Sequence, residues 1–151
     1  MKFLCDWKKR MLEQMIFQCG GFFEANEALV IREEAGMWEL DHFLCLPEQP
    51  EREIIHRRAV WAEEQLQSWL LKLEAIDLGE WKEDYRTDSL DGVQWSLRYT
   101  VKGERERAIS GSNAWPENWT EFKRLITELA DKLPIVDEST NPACFGKERN
   151  K

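Results

Sequence analysis

The chain has 151 residues, which is enough for one domain that buries a core without disulfide or metal staples. Its hydrophobic content of 42%, which includes eight Trp, argues against disorder over most of the length. A formal net charge of −8 argues against a general nucleic-acid binder, because such proteins are basic. We therefore expect one folded domain over residues 1–136. The tail over 137–151 lacks hydrophobic periodicity and is predicted to be flexible.

No apolar run approaches the roughly 20 residues that a membrane-spanning helix needs. The N-terminus carries Cys5-Asp6-Trp7-Lys8-Lys9, where a signal peptide would have a continuous apolar segment. These features predict a cytoplasmic protein without a membrane partner. The four cysteines show no paired spacing and are therefore expected to be reduced.

The first half of the chain predicts a helix, a hairpin and a longer helix. Over residues 3–19 apolar side chains recur at helical spacing, and Gly20-Gly21 ends that stripe. Residues 22–34 and 37–44 are typical of the two strands of a hairpin. Residues 51–76 then carry a second helical stripe. Its members are Ile55, Ala59, Ala62, Leu66, Trp69, Leu70 and Leu73.

Trp61 and Ile54 fall off this second stripe. They predict either a contact for another protein or a further packing layer made with the N-terminal helix.

The second half predicts an acidic loop, a hairpin and a final helix. The loop spans residues 77–91, and the hairpin joins Trp95–Val101 to Arg105–Ser110 through a turn at Gly103-Glu104. Asn118 and Glu121 have the spacing of a helix-capping pair. A buried seam follows, and Pro134 ends it. Its members are Trp119, Phe122, Ile126, Leu129 and Leu133.

The predicted element order is α-ββ-α-ββ-α. It favours an α+β fold with one antiparallel sheet of about four strands and helices packed on one face.

Two short segments of the second half have a distinctive order. The first is Asp91-Gly92-x-x-Trp95, and the second is Gly111-Ser112-Asn113-Ala114-Trp115-Pro116-x-Asn118-Trp119. Residues 88–133 thereby resemble a group of small uncharacterised bacterial proteins. These share a D-G-x-x-W strand and a G-S-N-A-Y/W-P-x-N-W/F segment before a C-terminal helix. The resemblance implies a shared fold segment and carries no activity.

The second segment predicts a corner between a strand and a helix. Gly111 permits a positive φ at the strand end, and Asn113 tolerates the left-handed conformation or bonds the adjacent backbone. Trp115 precedes a proline, which favours an extended backbone that aims its ring back toward the sheet. The alternative is a recognition loop, because polar donors beside a rigid indole suit a ligand or a partner.

A two-residue turn at Gly103-Glu104 places Arg98 and Lys102 on the same face as Arg105 and Arg107. This face is either solvated or the docking surface for an anionic partner. The predicted partner-binding residues are Arg98, Lys102, Arg105, Arg107, Asn113 and Trp115.

Catalytic chemistry has little support in the sequence. His42 is expected to be packed and hydrogen-bonded on a strand, and His56 to be exposed on a helix. Neither lies in a recognisable nucleophile frame, and we find no phosphate-binding loop or Cys-x-x-Cys pair. We expect no catalytic residue, no cofactor and no metal.

The sequence therefore favours a non-enzymatic protein-interaction module of bacterial or mobile-element origin, of an accessory, immunity or inhibitor type. Its partner is another protein; nucleic acid is unfavoured, and a homodimer through an edge strand stays open. The alternative is a small-ligand-binding protein or enzyme with a pocket near Trp95, Asn113 and Trp115. A third hypothesis treats the acidic segments 20–50 and 77–91 as a nucleic-acid mimic.

Overall fold

The computed structural model describes residues 12–21, 24–46, 54–87 and 92–137. Within these ranges the chain forms eight strands, two α-helices and one 3-10 turn. In chain order they are β1 (Leu12–Gly21), β2 (Glu24–Glu34), β3 (Met37–Cys45), β4 (Ile54–Ala62), α1 (Glu63–Ile76), the 3-10 turn (Leu78–Glu80), β5 (Asp84–Arg86), β6 (Val93–Val101), β7 (Arg107–Ser112), α2 (Trp119–Lys132) and β8 (Ile135–Asp137).

All eight strands belong to one mixed sheet in the order β5-β7-β6-β1-β2-β3-β4-β8. Neighbouring strands are antiparallel except β5 and β7, which run parallel. The predicted four-stranded sheet and the order α-ββ-α-ββ-α are therefore wrong. Two predicted helical regions contribute strands instead, and the loop before β6 contributes the short strand β5.

The predicted N-terminal helix is wrong where the structure describes it, because residues 12–21 form β1 at the centre of the sheet. Met15 and Cys19 fit a helical stripe, but Met15 and Phe17 also fit the two-residue period of a strand. Both are fully buried, and Gln18 next to them is exposed. Hydrogen bonding to β2 and β6 on either side decides in favour of the strand. Residues 3–11 lie outside the described ranges.

The predicted helix over residues 51–76 is half right. Residues 54–62 form β4, which pairs with β3 along its whole length, and α1 begins at Glu63. Backbone N–H of Ala62 donates to Gln65 Oε1 at 2.8 Å at the start of α1. Trp61 packs against the main core, and Ile54 is buried beside Cys45 and Phe43. Both residues thus pack within the described chain, but not in the predicted layer with an N-terminal helix, since residues 12–21 form strand β1.

Three local predictions are confirmed. Strands β2 and β3 form the expected hairpin, and β6 and β7 form the second one. Helix α2 begins at Trp119, ends at Lys132 before Pro134, and buries the predicted seam from Phe122 to Leu133. The C-terminal tail predicted over 137–151 lies outside the described residues except for Asp137, which ends β8.

One face of the sheet packs against both helices. Alternate residues of the central strands join α1 and α2 in a single buried cluster. Its fully buried strand members include Met15, Phe17, Leu29, Ile31, Trp38, Leu40, Leu97 and Ile109. Trp69 of α1 also donates from Nε1 to the Leu125 carbonyl of α2 at 2.8 Å, which ties the helices together.

The other face, called the free face below, is covered by no helix among the described residues. Its strands place basic and acidic side chains side by side. Arg58 lies 2.7 Å from Asp41, and Arg32 lies 3.8 Å from Glu39. The free face thus neutralises its own charges locally.

Two further facts bear on the sequence predictions. Neither described α-helix combines the length and the apolar character needed to cross a bilayer. Cys19 forms no disulfide, but Cys45 is disulfide-bonded, so the prediction of reduced cysteines is wrong for Cys45.

Candidate functional site

The two distinctive segments of the second half interlock at one end of the sheet. Asn113 has a φ of 56°, as predicted, and its Oδ1 accepts the Val93 N–H at 2.9 Å. Its own N–H donates to the Val93 carbonyl at 2.9 Å. Gly92, with a φ of 110°, lies so close that a β-carbon there would overlap the Asn113 amide. Gly92 and Asn113 therefore fix β6 against the corner that follows β7.

Gly111 has a role other than the predicted one. Among the described residues, the glycines with a positive φ are Gly36, Gly92 and Gly103, and Gly111 is not one of them. Instead, it lies against the indole of Trp95, and a β-carbon at Gly111 would overlap that ring. A close approach, and not a backbone hinge, is the reason that glycine fits here.

Trp95 is the centre of this packing. Its Nε1 donates to the Ala114 carbonyl at 3.0 Å, and its ring centroid lies 4.6 Å from that of Trp119. The Trp81 ring packs edge-on against the Trp95 ring, and the two ring centroids lie 5.9 Å apart. With only 3% exposure, Trp95 is part of the core.

Asn118 joins three elements and does not cap its helix as predicted. The structure shows no side-chain capping bond at this position. Its Oδ1 accepts Trp81 Nε1–H at 2.9 Å, and its Nδ2 donates to the Ile76 carbonyl at 2.8 Å. The side chain thereby provides hydrogen-bond partners for the indole N–H of Trp81 and for the last carbonyl of α1. Water can reach an exposed helix end in place of a cap, but it cannot reach these groups as easily.

Trp115 departs from this packing. Its side chain is 43% exposed, so the prediction that its ring packs back on the sheet is wrong. Pro116 next to it is buried, and Trp119 takes the inward position beside Trp95. Trp115 is therefore the one residue of the two segments whose large apolar side chain faces solvent.

The predicted four-cation face does not form, because the hairpin register differs by one residue. Arg98 pairs with Ala108, while Arg107 pairs with Tyr99 on the opposite face. The connection between the strands is longer than the predicted two-residue turn, and a shift of one residue exchanges the faces. Arg98 and Arg107 thus point to different sides of the sheet.

The predicted partner-binding residues are consequently dispersed. Arg107 is half-buried and donates to the carbonyl oxygens of Leu78 and Trp81. Arg98 lies on the free face, 3.9 Å from Glu106. Lys102 and Arg105 are exposed in the connection at one end of the hairpin, and Asn113 and Trp115 lie beyond its other end.

A groove of about 810 Å³ crosses the free face near the corner. Strands β5, β7, β6, β1 and β2 each contribute to it, and the pairing register aligns their outward side chains in rows. Ser110 pairs with Ser96 and with Asp84, and Ser112 pairs with Gln94 and with Arg86. We call this feature the polar groove.

Neutral hydroxyl and amide groups dominate the polar groove. Six such side chains make no side-chain hydrogen bond within the part of the chain that the structure describes. They are Gln18, Asn26, Gln94, Ser96, Ser110 and Ser112. At the edge of the groove, Asp84 and Arg86 pair with each other at 3.1 Å. Hydroxyl and amide groups donate and accept, so the groove offers both kinds of group to a bound molecule.

None of these six groove residues was predicted as a binding residue from the sequence. A signal was present, since Ser110 and Ser112 alternate with the buried Ile109 and Gly111. Such alternation marks an exposed strand face. It could not reveal which strands lie side by side, because the pairing of β5 with β7 and of β1 with β6 joins distant parts of the chain.

A buried ionic network lies on the helix-covered side, near the end of β2. His42 Nε2 lies 2.7 Å from Glu27 Oε2, and Lys123 Nζ lies 3.1 Å from Glu27 Oε1. Burial raises the pKa of Glu27, but the hydrogen bond from His42 and the charge of Lys123 outweigh it, so the net pKa is lowered.

Because Glu27 is ionised, its carboxylate accepts from Nε2–H of His42, which leaves Nδ1 as an acceptor when the imidazole is neutral. His42 is 5% exposed, and Nδ1 has no hydrogen-bond partner among the described residues. The predicted buried His42 is thus confirmed, but it is only half satisfied. His56 is on β4, not on a helix, and bonds Asp41 at 2.7 Å.

No described group of three or more His, Cys, Asp or Glu side chains is arranged to hold a metal ion. Comparison of the chain with protein-family models, curated proteins and solved structures finds no match.

Proposed function

We propose that this protein is a non-enzymatic interaction module that binds another protein through the free face of its sheet. The observation that carries the proposal is the polar groove, in which six neutral polar side chains make no side-chain bonds within the described chain. A folded protein gains little from a concave row of such groups, but a partner's backbone and polar side chains can pair with them.

The surroundings of the groove favour a macromolecular partner. The groove is open along the sheet, and Trp115 is exposed three residues after Ser112, so their Cα atoms are at most about 11 Å apart. A large aromatic side chain beside a polar surface is typical of the residues that carry protein-protein binding energy. In this proposal Trp115 is the apolar anchor, and the groove supplies specificity.

The proposal also includes the biological role, the compartment and the class of partner of the protein. It is an accessory, immunity or inhibitor protein of a bacterium or a mobile element, acts in the cytoplasm, and has neither nucleic acid nor a membrane as its partner. The charge of −8 supports the exclusion of nucleic acid. Because Arg107 and Asn113 are engaged in internal hydrogen bonds, we place the contact on the groove and Trp115 instead of on all six predicted residues.

The test is comparative affinity capture from the encoding organism, with the whole protein as bait. Ser96→Arg/Ser110→Arg fills the groove with two long cationic side chains. Ser68→Arg/Thr127→Arg adds the same charge at exposed positions of α1 and α2 and is the matched control. We expect a protein captured by the unmodified chain and by the control to be lost with the groove variant.

Both variants change exposed or half-exposed positions, so their stability should stay within about 0.5 kcal/mol of the parent by urea unfolding. Equal capture by the groove variant and the control would overturn the proposal. If Trp115→Ala also loses capture of the partner, the result would support the proposed role of Trp115 as the apolar anchor.

One observation favours the second candidate, a small-ligand-binding protein or enzyme with a pocket near Trp95. Trp95, Gly111 and Ser112 all line the polar groove at the end nearest the corner. A metabolite library tested by thermal shift separates the two candidates. A stabilisation that Ser96→Arg/Ser110→Arg abolishes would favour the small ligand over the protein partner.

A further inference from the structure

A second cavity, of about 310 Å³, lies between the end of α1 and the sheet. It is separate from the polar groove and shares no lining residue with it. Its volume is at the lower limit of the range in which proteins bind small molecules. We call it the helix-end cavity.

The walls of the helix-end cavity are mostly hydrocarbon. Leu70 and Leu73 of α1 and Leu78 of the 3-10 turn are each less than 10% exposed, and Val101 and Tyr99 form the strand side. Such walls favour an apolar group by the area that it removes from water.

The charged side chains among the described residues that line the same cavity are all acidic. Tyr99 adds a hydroxyl, and Arg107, which does not line the cavity, donates to that hydroxyl and to the Leu78 carbonyl. Glu74, Asp77 and Glu104 contribute carboxylates, and no basic residue among the described ones lines the cavity. Helix α1 ends here with Asp77 as its C-cap, and its last turn carries no basic residue. The partial negative charge of the helix end therefore adds to the carboxylates.

From this combination we infer that the helix-end cavity binds a lipophilic cation, a primary amine that carries an aryl or short alkyl group. The hydrocarbon part lies against Leu70, Leu73 and Val101, and the ammonium group lies at the rim beside Asp77 and Glu104. A neutral analogue lacks the attraction of the rim, and an anionic analogue is repelled by it.

The test uses three probes of nearly equal shape, 2-phenylethylamine, 2-phenylethanol and 3-phenylpropionate, titrated into the full chain and followed by backbone amide NMR. We expect the amine to shift signals of residues 70–79 and 99–104, with a dissociation constant at least tenfold lower than that of the alcohol. The carboxylate should cause no shift. Added salt should weaken binding of the amine and leave that of the alcohol unchanged.

Asp77→Asn/Glu104→Gln keeps the shape of the cavity and removes two charges. Asn tolerates the left-handed backbone at position 77, where φ is 65°, so the variant folds. We expect about tenfold weaker amine binding and unchanged alcohol binding. Glu121→Gln/Asp131→Asn removes two exposed carboxylates of α2 and is the matched control, with unchanged binding of both probes.

Equal affinity for the amine and the alcohol would overturn the inference, as would amine binding that survives Asp77→Asn/Glu104→Gln. Absence of any shift at residues 70–79 would overturn it too, since the amine would then not occupy the cavity. None of these outcomes bears on the polar groove.

Discussion

The two faces of the sheet use their side chains in opposite ways. On the helix-covered face, Trp95, Trp81 and Asn118 each satisfy a polar atom while filling space, so that one group serves several elements. On the free face, charged side chains pair with neighbours, and the neutral groups of the polar groove stay unbonded within the described chain. Substitutions on the covered face should therefore change stability, and those on the free face should change binding alone.

The largest expected effect comes from a comparison of two tryptophans, one from each of the two distinctive segments. Trp95→Ala should lower the free energy of unfolding by about 3–5 kcal/mol, because it removes a buried ring and orphans the Ala114 carbonyl. Trp115→Ala should change it by less than about 0.5 kcal/mol, because its ring is 43% exposed. Urea unfolding of both variants measures the difference, and equal losses would contradict the division between faces.

Gly111→Ala tests the close approach of backbone and ring. The added methyl overlaps the Trp95 indole and should destabilise the fold by about 1–3 kcal/mol. If that overlap is the cause, the penalty should shrink when the same substitution is made in a Trp95→Leu background. The coupling is read from a double-mutant cycle in urea, and additive effects would point to the backbone instead.

Glu27→Gln tests the buried ionic network. The folded pKa of Glu27 is below its ordinary value, so its ionisation stabilises the fold above the ordinary pKa. That contribution is lost as pH falls through the folded pKa.

The variant should be less stable by about 1–3 kcal/mol at neutral pH, because His42 and Lys123 lose a charged partner. The difference from the parent should narrow in acid. Thermal unfolding between pH 7 and pH 3 follows this change. A difference that does not depend on pH would show that the carboxylate charge plays no part.

Local sequence signals predicted those elements whose partners are close along the chain. The β2–β3 hairpin and α2, with Pro116 before it and Pro134 after it, were recognised because turn and end signals lie within the segment itself. Strands β1 and β4 were not. Their apolar residues, such as Met15 and Cys19 or Ile55 and Ala59, fit a helical period as well as a strand, and only the neighbouring strands decide.

The candidate site shows the same division. From its residue type alone, Asn113 was predicted either to adopt the left-handed conformation or to bond the adjacent backbone, and its φ of 56° is left-handed. The positions of Arg98 and Arg107 on opposite faces could not be predicted, because the face depends on a single residue of register. The polar groove needs five strands in the right order, and strand β5 in particular carries no pattern of its own over three residues.

The central position of β1 has a consequence for synthesis of the chain. Its pairing with β2 is local, but its other edge pairs with β6, so that Leu12 meets Val101. During translation, residues 12–62 can form the β1–β4 meander long before residues 93–101 leave the ribosome. Until then β1 has an open edge, where two nascent chains can pair wrongly. Because the partner of this edge lies so far along the chain, we expect closure of the β1–β6 pair to be a late and slow step of folding.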